Sequence, residues 1–154
     1  MLDFVPSGDR VAYNTPAQIN REIENRTDDS VFYYAAHPEY IDQRLLELDE
    51  EWDIERYLEA NASTLMLIGT TLGAAVDRRW LWLPGTVAAF LLQHAVQGWC
   101  PPVSVFRRRG VRTKDEIFRE RYALRALRGD FGGLEDLPAD PPARATAVLM
   151  VLDE

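Results

Sequence analysis

A chain of 154 residues, 47% hydrophobic and 27% charged, is one domain's worth of polypeptide, but its net charge of −8 hides a strong segregation. Residues 1–61 hold 15 acidic and 5 basic groups, residues 62–106 one acid and two bases, residues 107–128 nine bases and three acids, and residues 129–154 six acids and one base. The acidic first third repels phosphate and excludes nucleic acid as the main partner, and a single cysteine excludes an intrachain disulfide.

Residues 1–14 show neither a basic n-region nor an apolar h-region and read as an irregular leader. Thr15-Pro16, with Gln18 three positions after Thr15, has the pattern of a capping box, so a helix is expected from about 15 to 35. Asp28-Asp29-Ser30 is the expected interruption and His37-Pro38 the end. Ile41, Leu45, Leu48 and Trp52 then recur at helical spacing, the seam of a second helix whose other side is acidic. Residues 15–52 therefore form an acidic helical region, a surface open to a protein partner.

Two uncharged stretches follow, Ala60–Val76 and Trp80–Phe106, separated only by Asp77, Arg78 and Arg79. They predict a hydrophobic helical hairpin within residues 53–109, with arms at about 55–77 and 84–99. The first stretch has 17 residues, which reach about 25 Å as a helix against a hydrocarbon core of about 30 Å. Gly69 and Gly73 fall on one helical face, a spacing that lets helices approach closely in lipid. Trp80 and Trp82 beside Arg78 and Arg79 at the turn, and Arg107, Arg108 and Arg109 at the outgoing end, have the composition of membrane–water boundaries. Lysine and arginine favour the cytoplasmic side, which places both termini there and the turn outside. Gln93, His94 and Gln97 form a polar strip facing the serine and threonines of the first arm. Gly98 and Pro101-Pro102 are expected to stop the second arm, leaving Cys100 at a helix C-terminus, where a thiolate is disfavoured.

Thr113 with Glu116 three later marks the start of a basic amphipathic helix, 113–128. Ile117, Phe118, Leu124 and Leu127 make its apolar side. Arg119, Arg121, Arg125 and Arg128 make a basic side suited to lipid headgroups. Residues 129–154 read as a flexible tail with a short apolar end, 145–152. The fold class is all-α: a central helical hairpin flanked by two acidic N-terminal helices and one basic C-terminal helix. No phosphate loop, nucleophile elbow, carboxylate dyad or metal-ligand spacing is present, so no cofactor, metal or catalytic residue is assigned.

A short two-helix hairpin with tryptophans at its turn, whose second arm ends in Gly98-Trp99-Cys100-Pro101, resembles the YgaP-like inner-membrane domain of bacteria over roughly residues 53–109. The resemblance implies a membrane anchor in the bacterial inner membrane, dimeric in some members and in some attached to a sulfur-transferring rhodanese domain. The domain itself has no agreed activity. A rhodanese loop needs arginine five positions after its cysteine, and here that position is Val105. The expected function is an anchoring or assembly module embedded in a lipid bilayer. A soluble helical-bundle adaptor, with Ile41, Leu45, Leu48 and Trp52 covering the hairpin, and a thiol-dependent sulfur carrier using Cys100 are the alternatives.

Overall fold

The computed structural model describes residues 10–131 and 138–152. It is all-helical, with no strand among the described residues. The helices are α1 (Arg10–Tyr13), α2 (Ala17–Ala36), α3 (Ile41–Glu50), α4 (Ile54–Ala75), α5 (Trp82–Gln97), α6 (Pro101–Arg108), α7 (Lys114–Arg128) and α8 (Pro141–Leu152). Single 3-10 turns, Pro38–Tyr40 and Arg78–Leu81, precede α3 and α5. The chain divides into two compact units, residues 1–20 with 52–113, and residues 21–51 with 114–154.

The first unit is built on α4 and α5, which run antiparallel from the 3-10 turn. Asp53 caps α4 by accepting the Arg56 amide at 2.7 Å. The Ile54 amide donates to the Arg112 carbonyl at 2.9 Å, so the chain enters and leaves this unit at one place. A small core of Val11, Ile54, Leu58, Cys100 and Val103 lies at that end, flanked by Phe106 and Val111. Residues 101–108, to which the sequence assigns no element, form α6. Pro101 and Pro102 occupy its first turn, where a missing amide hydrogen costs nothing and the fixed φ suits a helix, so they start a helix, and Gly98 ends α5.

The leader also departs from expectation. Arg10–Tyr13 is helical, while residues 1–9 lie outside the described residues. Helix α2 begins at Ala17. The Thr15 hydroxyl donates back to the Val11 carbonyl at 2.7 Å and accepts from Arg107 Nε at 3.3 Å. Asp28-Asp29-Ser30 does not interrupt α2, which continues to Ala36.

In the second unit Ile41, Leu45 and Leu48 form the expected seam, buried with Val31 and with Ile117, Leu124 and Leu127 of α7. Trp52 lies beyond α3 and is exposed. The apolar end, expected as part of a flexible tail, is α8, and its Ala145, Val148 and Leu149 complete this core. The linker's residues 132–137 lie outside the described residues. The arginines of α7 meet acids. Arg119 pairs with Glu24 at 3.3 Å, Arg121 with Asp49, and Arg128 with Asp42 at 2.6 Å. The basic side of α7 thus faces acidic side chains of α2 and α3 while its arginines stay partly open to solvent. At the centre Glu120, fully buried, accepts from Arg44 Nε at 2.9 Å and from the Ser30 hydroxyl at 2.6 Å.

Candidate functional site

The first unit's helical pair is the candidate. Its two helices touch through small residues. Gly69 and Gly73 are buried against α5 and the turn before it. A Cβ on Gly69 would come within 2.5 Å of Pro84 Cδ, and one on Gly73 within 2.5 Å of Leu81 Cδ2. Both glycines are therefore used inside one chain.

Between Ser63 and Gln93, Gly69 and Gly73 are the only buried residues. Ten large apolar side chains from Leu65 to Val96 are exposed, among them Leu67 at 71%, Trp82 at 81%, Leu92 at 67% and Val96 at 69%. Scattered apolar side chains are normal on a protein surface, but so many on two adjacent uncharged helices, with only threonines among them outside the charged tip, are not. We call this part the arm. The seam proposed to cover it in a soluble bundle is occupied: Ile41, Leu45 and Leu48 belong to the second unit's core.

The polar side chains at the start of the arm fold back on their own helix. Asn61 Nδ2 donates to the Tyr57 carbonyl at 2.7 Å, Ser63 to Glu59 at 2.6 Å and Thr64 to Ala60 at 2.7 Å. Such bonds to the preceding turn satisfy a hydroxyl or amide without water. They also correct the expected polar strip. His94 does not reach those residues; its Nε2 bonds the Glu55 carboxylate, at 2.9 and 3.1 Å to the two oxygens. Gln93 donates to Gln97 at 3.4 Å.

Charge and tryptophan mark both ends. The tip carries Asp77, Arg78, Arg79, Trp80 and Trp82, all exposed. Asp77 accepts the Arg79 amide at 2.8 Å and caps the turn. At the base Arg108 and Arg109 are exposed, but Arg107 is not: it is 1% exposed. Its guanidinium donates to Thr15, to the Val111 carbonyl at 3.1 Å and to Asn20 at 2.9 Å. Arg107 thus ties α1, α2 and α6 together and is not an interface residue. The Trp52 ring lies 5.4 Å from Tyr57 and the Tyr57 ring 5.6 Å from Phe106, both tilted, and the second contact has no sequence signal because Phe106 is distant in the chain.

The Gly98-Trp99-Cys100-Pro101 motif has a structural explanation at every position. Gly98 ends α5 in the left-handed region, φ 70°, where a side chain is strained. A Cβ there would also lie 2.4 Å from Arg10 Cβ. That close approach lets α1 cap α5: Arg10 Nη1 donates to the Ala95 carbonyl at 2.6 Å and Asn14 to the Gln97 carbonyl at 3.0 Å. Trp99 Nε1 donates to the Ser104 hydroxyl at 3.1 Å. Cys100 is buried at the N-cap of α6, not at a helix C-terminus, and Pro101 opens that helix. Burial pushes the Cys100 thiol up, with the Glu55 carboxylate adding to the rise and a bond from the Val103 backbone working against it.

No group of histidine, cysteine and carboxylate side chains among the described residues has the arrangement of a metal site. No helix among the described residues is long and apolar enough to cross a membrane. No family model, curated protein or solved structure matches this chain.

Proposed function

We propose that the protein is an anchoring or assembly module whose helical arm is immersed as a pair in a lipid bilayer, with its base and both termini on the cytoplasmic side. The observation that carries this reading is the set of exposed apolar side chains on two uncharged runs, 60–76 and 80–97, with Asp77, Arg78, Arg79, Trp80 and Trp82 at the tip between them and Arg108 and Arg109 beyond the base. Ten such side chains at about 1 kcal/mol each for the part left in water would gain on the order of 10 kcal/mol on transfer to an apolar phase. The polar side chains of α4 that already bond their own helix reduce the cost of leaving water. The resemblance of residues 53–109 to the YgaP-like inner-membrane domain points the same way.

The reading is tested by flotation with liposomes. The wild-type chain floats with the lipid. Leu67→Lys places a cation on the outward face mid-arm, at about 2.5–3.5 kcal/mol, and reduces partition by about 100-fold without changing helical content. A wild-type chain that stays monomeric in detergent-free buffer and does not float refutes the proposal.

A further inference from the structure

Resting on that reading, we infer that the arm selects thin bilayers, its partner being a fluid membrane whose hydrocarbon core is about 24 Å rather than about 30 Å thick. The length of each helix carries the inference. Uncharged α4 runs from Ala60, after the exposed Glu59, to Ala75, and α5 from Trp82 to Gln97. The uncharged run of α4 is 16 residues and therefore about 24 Å, and α5, whose His94 already meets the Glu55 carboxylate, offers no more apolar depth than that. The tip adds little apolar length: only Val76 separates α4 from Asp77, Arg78 and Arg79, and only Trp80 and Leu81 separate these charges from α5.

A helix that is too long for its bilayer relieves the mismatch by tilting, but tilting a short one shortens its reach further. Only three adjustments remain: thinning of the surrounding lipid, outward extension of Arg78 and Arg79, or withdrawal of the charged tip into hydrocarbon. Withdrawal would immerse three charges. The arginine stems extend only a few ångströms. Lipid thickness is therefore the variable that the arm senses, and a 6 Å deficit, at a cost proportional to mismatch, weakens partition by about ten-fold.

The experiment uses the full chain and vesicles of monounsaturated phosphatidylcholine with a fixed fraction of phosphatidylglycerol, in acyl lengths of 14, 16, 18, 20 and 22 carbons, all fluid. The expected result is partition that is greatest in the short-chain vesicles and falls by about ten-fold or more toward the longest. Flotation that is equal across the series overturns the inference and leaves the bilayer reading standing. Flotation in none of the lipids overturns the bilayer reading itself. The variant Asp77→Asn with Arg78→Gln and Arg79→Gln frees the tip from its charges. It is expected to float in every lipid with little dependence on chain length; a steep dependence retained by this variant overturns the assignment of thickness sensing to the tip.

Discussion

Gly98→Ala is the substitution that separates a structural Gly-Trp-Cys-Pro motif from a chemical one. The φ of 70° costs a non-glycine residue about 1–2 kcal/mol, since Cβ approaches the following carbonyl. The new methyl would also lie 2.4 Å from Arg10 Cβ and 2.9 Å from the Arg10 carbonyl carbon. Backbone cannot yield as a flexible side chain can, so α1 must move, and overpacking of this kind costs about 1–3 kcal/mol. Displacing α1 further loosens the bonds from Arg10 and Asn14 to the end of α5. The total expected loss is about 2–4 kcal/mol, read as a fall in melting temperature of more than about 8 °C for the first unit in mild detergent. Gly85→Ala is the internal control. Gly85 lies inside α5 with no atom within 4 Å of an added Cβ, so alanine there is expected to stabilise by about 0.5–1 kcal/mol. Equal effects of the two substitutions would refute the reasoning.

Three further outcomes are expected. Cys100 reacts slowly with a maleimide at pH 7 in the folded protein and at the ordinary thiol rate after unfolding. Because its folded pKa is raised, the stability it contributes is lost as pH climbs past the thiol's ordinary value, about 8.5, and Cys100→Ala flattens that alkaline decline; rapid reaction of the folded form would favour a carrier thiol instead. Arg44→Met leaves the buried Glu120 carboxylate without its main cation and destabilises the second unit by about 2 kcal/mol, discounted because Arg44 is about a quarter exposed; adding Glu120→Leu recovers most of the loss in urea titrations. Arg128 and Arg125 hold the Asp130 carboxyl well below its usual range, so its contribution is present above the ordinary carboxylate pKa and is lost as pH falls toward the depressed value; Asp130→Asn is therefore less stable than wild type near neutrality and loses less between pH 5 and 2 in thermal melts.

The helices of the arm were legible because lack of charge over a long stretch is a local signal. The expected arms, 55–77 and 84–99, compare with α4 at 54–75 and α5 at 82–97. The seam of Ile41, Leu45 and Leu48 was legible from its spacing. What the sequence hid was long-range pairing. Nothing near Arg119, Arg121 or Arg128 in the sequence shows that Glu24, Asp49 and Asp42 pair with them. Arg107 looked like its exposed neighbours until Thr15 and Asn20, about ninety residues earlier, were brought to it. His94 lies opposite Glu55 because antiparallel helices join the end of one to the start of the other, a register that composition does not encode. Proline is ambiguous by nature: Pro101-Pro102 fits a stop after α5 as well as a start, and the structure uses Gly98 for the stop and the prolines to open α6.

The account stands on the arm's outward face being shielded by lipid. Leu67→Cys and Leu92→Cys, each in a Cys100→Ser background, report on that face directly. In sealed native-membrane vesicles both are expected to resist a membrane-impermeant maleimide until detergent denaturation exposes them. Prompt labelling of both in the folded, undissolved protein would contradict the account.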